Sequence, residues 1–241
     1  MSGTLNREPV RYVTVEEMRE ADRRCIEDIG IPGAVLMNNA GAAVFREVDS
    51  GPVGIVCGKG NNGGDGFVVA RLALLAGYGT RVVLVAEPES ISGDAATFMR
   101  VYERLGGRID VALTELKAAN ELTALSSCHV LIDALLGTGM QGDVRGPARA
   151  AIDAWPDVRT IAVDLPSGLH ADTGEICGAC VRADVTVTFQ YPKRGFQNPA
   201  AAEYVGRLAI ADIGIPASCI EGGRGEGRKR GSEEVRKQEC E

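Results

Sequence analysis

The feature that most constrains the fold of this chain is a nine-residue loop, Gly58 to Gly66, with the sequence GKGNNGGDG. An apolar run, Val53 to Cys57, precedes the loop, and a helix-like run, Phe67 to Leu75, follows it. Five glycines in nine residues allow the backbone to approach a ligand closely. A strand, a glycine-rich turn and a helix in this order are typical of nucleotide-binding α/β units, although the G-x-G-x-x-G pattern alone is a weak signal.

Two further apolar runs end in polar loops of the same kind. Val130 to Ile132 leads into DALLGTG at 133–139, and Ile161 to Val163 leads into DLPSG at 164–168. The carboxyl ends of parallel strands lie at one edge of a sheet. We therefore expect the three polar loops to meet in a single crevice, which is the predicted site of function.

The alternation of apolar and amphipathic segments predicts an α/β fold, a three-layer, doubly wound and mostly parallel Rossmann-like sheet. The predicted strands are 53–57, 81–86, 108–112, 129–133, 160–164, 181–189 and 207–212. The helices predicted between them are 64–77, 93–105, 115–125 and 146–154.

Two N-terminal helices are expected to precede the sheet. Thr14 and Glu17 form a capping-box pattern for a first helix that extends to about Asp28, and a second helix is predicted over 34–48. We expect a flexible N-terminus at 1–13, a folded domain at 14–220 and a disordered tail at 221–241. The tail contains six basic and six acidic residues and almost no apolar ones, so burial cannot offset its ordering entropy.

Composition narrows the choice of partners. A net charge of −7 argues against nucleic acid, because phosphate binding needs a basic face. No segment approaches the roughly 20 apolar residues of a membrane span, so no membrane partner is expected. The seven cysteines are odd in number and mostly lie within apolar runs, which suits a reducing compartment and predicts a cytoplasmic protein.

Four motifs in order carry a resemblance to a known family. GKGNNGGDG at 58–66, DALLGTG at 133–139, DLPSG at 164–168 and ADVTVTF at 183–189 resemble the NAD(P)H-hydrate epimerase family, the N-terminal-type domain of the bifunctional nicotinamide nucleotide repair enzyme. The opening of the chain is similar too, with Asp22 in the first helix and Leu36-Met37 in the second. The resemblance extends over roughly residues 11–216.

The resemblance implies an isomerase of metabolite repair. Its substrate is NADHX or NADPHX, the coenzyme hydrated at C6 of the nicotinamide ring, and it interconverts the R and S forms so that a dehydratase can act on the S form. We expect a separate NAD(P)HX dehydratase as the functional partner and a homodimer as the assembly. The sequence leaves the preference between NADHX and NADPHX open.

The resemblance also implies roles for individual residues. The substrate would be bound by Asp164 and by two segments, namely Asn61, Asn62, Gly63, Gly64 and Asp65, and Gly137, Thr138, Gly139, Met140, Gln141, Gly142 and Asp143. A potassium ion would be bound by Asn62, Asp133 and Ser167. Amide, carboxylate and hydroxyl oxygens suit such a hard cation. Lys59 and Lys193 are either ligands of the substrate phosphates or ordinary solvated lysines.

The chemistry of the hydrate agrees with a carboxylic acid in the site. Protonation of the C6 hydroxyl lets water leave and generates an iminium that the ring nitrogen stabilises, and water returning to the opposite face inverts the centre. One carboxyl group that gives and then retrieves a proton can serve both steps. Our hypothesis is that Asp164 is this catalytic group.

Three other interpretations remain at this point. Asp133 and Asp164 can each simply cap the segment that follows a strand. The chain can be a non-catalytic binding or scaffold module on the same fold, although such a module has no need of the polar residues at the strand ends. An NAD(P)-dependent oxidoreductase is the third possibility, and it lacks an obvious catalytic Tyr-Lys or His-Asp set.

Overall fold

The computed structural model describes residues 10–221, with the backbone alone described at position 221. Its centre is a seven-stranded sheet in the order β3-β2-β1-β4-β5-β6-β7. Every pairing in it is parallel, so the prediction of a mostly parallel sheet is confirmed and extended. The strands are β1 (Val53–Cys57), β2 (Thr80–Leu84), β3 (Ile109–Val111), β4 (Val130–Ala134), β5 (Thr160–Val163), β6 (Val185–Phe189) and β7 (Arg207–Ala211).

Helices cover both faces of the sheet and complete the three predicted layers. They are α1 (Val15–Arg23), α2 (Gly33–Phe45), α3 (Asn61–Leu75), α4 (Gly93–Arg104), α5 (Glu115–Ala124), α6 (Gly146–Asp153), α7 (Ala202–Val205) and α8 (Ser218–Glu221). Helices α1 to α4 pack with Ile55 and Ile132 on one face of the sheet, whereas α5 and α6 pack with Val56 and Leu131 on the other. Successive residues of a strand point to opposite faces, which is why neighbours in β1 and β4 belong to different cores.

The first helix begins as predicted and ends differently. The Thr14 hydroxyl accepts a hydrogen bond from the Glu17 N–H, and the Glu17 carboxylate accepts one from the Thr14 N–H, which completes the capping box. After Arg23 the chain widens into a π-helix over Arg24–Ile29 and stops at Gly30, whose φ is 89°. The helical segment therefore reaches slightly past the predicted Asp28, with a wider last part.

Helix α3 begins at Asn61, three residues before the predicted start at 64. Glycine has a low intrinsic helix propensity, so the sequence GKGNNGGDG favoured a longer loop. Packing outweighs that propensity here. A Cβ on Gly66 would lie 2.6 Å from the Ala134 Cβ, and one on Gly64 would lie 2.7 Å from the Met37 side chain. These glycines let the first turn of α3 approach β4 and α2 closely.

The late strands are shorter than predicted. Strand β6 starts at Val185 rather than 181, because the Val181 N–H donates to the Ser167 carbonyl, away from the sheet. The expected segments 1–13 and 221–241 lie largely outside the described residues. Val13 is fully buried, and its N–H donates to the Pro192 carbonyl at 2.9 Å. Within residues 10–221, no helix combines the length and apolarity that crossing a bilayer demands.

Candidate active site

The three polar loops meet at the carboxyl edge of the sheet, as the sequence predicted. Strand β1 lies between β2 and β4, so the chain winds outward in opposite directions from the β1–β4 pair. A crevice forms at such a switch point because the adjacent connections diverge to opposite faces. Here the crevice is a cavity of about 560 Å³ that lies over the ends of β1, β4 and β5.

Most of the predicted substrate residues line this cavity. They are Asn61, Asn62, Asp65, Gly137, Thr138, Gly139, Met140 and Asp164. Gln141 lines an adjoining cavity of about 860 Å³, which shares Gly137 to Met140 with the first. Gly63 and Gly64 are buried in the first turn of α3, where they permit close packing, and Gly142 and Asp143 line neither cavity.

Asp164 is held in an unusual backbone conformation at the end of β5. Its φ is 65°, in the left-handed region that Asp tolerates better than most residues. Its N–H donates to the Val187 carbonyl at 2.8 Å, which fixes the turn against β6. The carboxylate Oδ1 accepts from the Thr188 hydroxyl at 3.0 Å and the Phe189 N–H at 3.2 Å. Within residues 10–221, Oδ2 has no such donor and remains available to the cavity.

Lys193 is the counter-ion of Asp164. Its Nζ lies 2.5 Å from Asp164 Oδ1 and also donates to the Thr188 hydroxyl at 3.2 Å. The Lys193 side chain is 1% exposed and that of Asp164 13%, so this is a largely desolvated ion pair. Lys193 is therefore neither a solvated lysine nor one free to bind phosphate, because its ammonium group is engaged with Asp164. The sequence signal for this pairing is absent, since the two residues lie on different loops.

The predicted metal ligands lie together at the end of β4. Asp133 is fully buried, and its carboxylate accepts from the Ser167 hydroxyl at 2.5 Å and the Ser167 N–H at 2.7 Å. The Asn62 amide donates to the Leu136 carbonyl at 3.0 Å, and the Ser167 hydroxyl accepts from the Leu136 N–H at 2.8 Å. Burial raises the pKa of Asp133 to about 6, against the hydrogen bonds from Ser167, which lower it.

Two more acidic residues face the cavity of Asp164. Burial raises the pKa of Asp22 on α1 to about 6, with the nearby Lys193 opposing the shift and Asp164 adding to it. Burial also raises the pKa of Asp65 well above its usual range, and the charges of Asp164 and Asp22 act in the same direction. The motif that contains Asp22 did not predict that this residue lies in the cavity. A signal existed, because Asp22 follows Met18 at helical spacing and both line the cavity.

Comparison with known proteins shows the family to which this chain belongs. The sequence matches the family described as YjeF-related protein N-terminus over residues 33–195. The chain belongs to this family. This match confirms the resemblance inferred from the motifs. Curated relatives of this chain are named NAD(P)H-hydrate epimerase.

Three relatives and one solved structure illustrate the match. The NAD(P)H-hydrate epimerase of Pirellula staleyi is 40% identical over 210 residues, which are 84% of this chain and 92% of that protein. That of Rhodopirellula baltica is 36% identical over 214 residues, 86% of either chain. The bifunctional NAD(P)H-hydrate repair enzyme Nnr of Moorella thermoacetica is 43% identical over 218 residues, 86% of this chain and 41% of that protein.

The fold agrees with that of a solved structure. The crystal structure of yeast ynu0 superposes with a TM-score of 0.69 at 19% identity and covers 83% of this chain and 87% of the yeast chain. The likeness shows a common α/β fold. Against the bifunctional relatives, this chain spans about two fifths of their length, 41% in the Moorella enzyme.

Proposed function

We propose that this protein is an NAD(P)H-hydrate epimerase, an isomerase that interconverts the R and S forms of NADHX and NADPHX. The observation that carries the proposal is the single cavity into which the loops after β1, β4 and β5 bring Asn62, Thr138 and Asp164. A scaffold module would have no use for such a set of polar residues. The relatives' names supply the substrate and the reaction.

The charges of the cavity suit the two ends of a hydrated dinucleotide. Asn61 begins α3 at the cavity wall, and the positive end of a helix dipole favours the anionic pyrophosphate. Arg19 and Lys59 line the same cavity and add positive charge. Asp22, Asp65 and Asp164 form a carboxyl-lined part of the cavity, which suits the ring, because the loss and return of water at C6 require groups that give and accept protons.

In this proposal Asp164 contacts the reacting ring. Its Oδ1 is fixed by Thr188, Phe189 and Lys193, so Oδ2 is directed by a rigid support. The Lys193 ammonium group forms an ion pair with this carboxylate at 2.5 Å. Such a carboxylate accepts the proton of an attacking water and stabilises the neighbouring iminium electrostatically.

Potassium is the cation that we propose for the end of β4. Asp133 is a fully buried carboxylate, and within the described residues no lysine or arginine forms an ion pair with it. A buried charge needs a partner, and the oxygens of Asp133, Ser167 and Asn62 are the donor type that this ion prefers. Bound there, the ion would supply positive charge that keeps Asp133 ionised and ties the loops after β1, β4 and β5 together.

Further features of the family are proposed on weaker grounds. We expect the protein to act with an NAD(P)HX dehydratase, since relatives of twice its length are named bifunctional repair enzymes. A cytoplasmic location suits its free cysteines, four of which are buried in the core. A homodimer is expected from the resemblance alone.

A coupled assay tests the proposed function. Purified protein is incubated with R-NADHX and an S-specific dehydratase, and the recovery of NADH is followed. We expect the R form to be consumed well above the rate of its unaided inversion. A rate equal to that of the dehydratase alone would overturn the proposal, provided that circular dichroism shows the protein to be folded.

A further inference from the structure

The cavity that Asp164 lines also contains Asp22, an acidic residue on helix α1. The sequence indicated no function for this helix. Asp22 extends from α1, whereas Asp164 extends from the end of β5, and both line the same 560 Å³ cavity. Val15, Met18 and Arg19 of α1 line it too, so this helix forms one wall of the cavity. A ring bound between the wall and the sheet edge has one face toward each.

The two carboxyl groups differ in their partners. Asp164 forms the ion pair with Lys193 and accepts hydrogen bonds from Thr188 and Phe189. Asp22 has no hydrogen-bond or ion-pair partner among residues 10–221, and only burial and the more distant charges of Lys193 and Asp164 act on it. Within this part of the chain, Asp22 thus lacks the cationic partner that Asp164 has, and burial raises the pKa of Asp22 to about 6.

A second observation shows that the polar side chains here are directed at a ligand. Asp65 is 8% exposed, lines the cavity from the first turn of α3, and accepts no hydrogen bond within the described part of the chain. A buried polar group in a native structure normally has a partner. Asp65 therefore marks the space between α1 and the sheet edge as a place where a polar ligand belongs.

We propose that Asp22 is a second catalytic carboxyl group, which exchanges a proton with the C6 oxygen on the ring face opposite Asp164. This inference rests on the proposed epimerase function. It replaces the single-carboxyl hypothesis by a pair, with Asp22 as the proton donor on one face and Asp164 as the proton acceptor on the other.

The proton and electron balance closes with water alone. Asp22 donates its proton to the hydroxyl, the C6–O bond breaks with its electron pair on the departing water, and the N1 lone pair forms the iminium. A second water attacks the other face, the π pair returns to N1, and Asp164 takes the proton of that water. One molecule of water has been exchanged. Lys193 lies next to Asp164 and near Asp22, and the enzyme resets when a proton returns from Asp164 to Asp22.

An oxygen-exchange experiment distinguishes one catalytic group that serves both faces of the ring from two groups that serve one face each. Each epimer is incubated with the enzyme in ¹⁸O-labelled water, the epimers are separated, and both inversion and label content are measured. A single group that serves both faces links label exchange and inversion. With a group on each face, loss of the acceptor Asp164 stops inversion and leaves exchange with retention on the face of Asp22.

The Asp22→Asn protein should therefore invert its substrate roughly 100-fold more slowly or worse, which is the usual effect of losing a general acid. The Asp22→Ser protein should show the same loss. The Asp164→Asn protein keeps Asp22, so it should still exchange ¹⁸O without inverting for the epimer whose hydroxyl faces Asp22. NADPH, which lacks the C6 hydroxyl, should bind the wild type and these variants with affinities within about threefold of one another.

A matched control is Asp28→Asn, because Asp28 lies on the continuation of α1 with a side chain that is 60% exposed and outside the cavity. Its inversion rate should equal that of the wild type. Inversion by Asp22→Asn within about threefold of the wild type would overturn the inference. Equal loss of exchange and inversion by the Asp164→Asn protein, with NADPH binding intact, would overturn it as well. Absence of inversion by the wild-type protein would instead overturn the proposed function itself.

Discussion

The two strand ends at the centre of this site place an aspartate in opposite circumstances. Asp133 in β4 is completely buried and receives hydrogen bonds from neutral groups, chiefly those of Ser167. Asp164 follows the neighbouring strand β5, faces the cavity, and has the ammonium group of Lys193 beside it. Among the described residues, the aspartate at the end of β4 thus has no cationic partner, whereas the one after β5 is paired with a lysine.

This difference suggests how the two sites divide their work. A buried carboxylate without a cation from the protein favours a cation from solution, so the end of β4 suits an exchangeable ion. A carboxylate with its own buried lysine keeps its charge without help and leaves one oxygen free for a substrate. Under the proposed function, the end of β4 would be a structural and electrostatic support, and the end of β5 would be the place for chemistry.

The largest expected effect comes from removing the working carboxylate. Asp164→Asn should lower kcat for epimerisation by roughly 10²- to 10⁴-fold, since an amide neither accepts a proton nor stabilises a cation. The coupled assay measures the rate, and NADPH binding shows whether the site is intact. A folded Asp164→Asn protein with the parental rate would end the assignment of chemistry to β5.

The next effect concerns the buried ion pair. Lys193→Met should lower the free energy of unfolding by about 3–5 kcal/mol, because it leaves Asp164 without its counter-ion in a desolvated site. The double variant Lys193→Met/Asp164→Asn should recover part of that stability and none of the activity. Urea unfolding measures both.

An exposed pair provides the control for this comparison. Arg149 and Asp153 lie 2.6 Å apart on α6 with side chains that are 43% and 54% exposed. Arg149→Met should leave the unfolding midpoint nearly unchanged, since surface pairs contribute little. A similar loss of stability in Lys193→Met and Arg149→Met would show that the buried Lys193–Asp164 pair stabilises the protein no more than an exposed pair does.

A third effect is the pH dependence of stability that comes from Asp65, because burial raises the pKa of this carboxyl group well above its usual range. Above pH 4 the unfolded chain ionises this group while the folded protein keeps it protonated, so the folded state binds more protons and stability falls as pH rises. Asp65→Asn removes this loss. The variant should gain stability relative to the wild type between pH 5 and pH 8, by about 1.4 kcal/mol for each unit of pKa difference.

Urea unfolding at the two pH values measures the gain. The raised pKa of Asp133 affects both proteins alike and largely cancels in the difference. An Asp65→Asn protein whose stability differs from that of the wild type by the same amount at pH 5 and pH 8 would show that Asp65 titrates as an exposed residue.

The smallest expected effect is the response to the cation. Potassium at ten times its dissociation constant should stabilise the wild-type protein by about 1.4 kcal/mol, and sodium should do so less. The Asp133→Asn protein should lose this response, whereas Asp164→Asn should keep it. Thermal unfolding in potassium, sodium and choline chloride at equal ionic strength makes the comparison. If the Asp164→Asn protein lost the potassium response instead, the cation would be assigned to the end of β5 and not to the end of β4.

Much of this arrangement follows from local sequence pattern. Alternating strands and helices predict the sheet, and the shared edge of parallel strands predicts that Asn62, Asp133 and Asp164 meet. Local pattern does not predict long-range pairing. Lys193 reaches Asp164 because the turn after β6 folds back beneath the β5 loop, and Asp22 reaches the cavity because α1 packs over it. The early start of α3 escaped prediction for a similar reason, since packing outweighs the low helix propensity of glycine.

The central claim is that the ends of β1, β4 and β5 form one site in which Asp164 meets the nicotinamide ring. A crystal structure with NADP⁺ and potassium chloride, with data collected where potassium scatters anomalously, tests it most directly. We predict the ring in the 560 Å³ cavity with its C6 edge near the Asp164 carboxylate, and an anomalous peak beside Asp133 and Ser167. A ring bound in the adjoining 860 Å³ cavity, away from Asp164, would contradict the account.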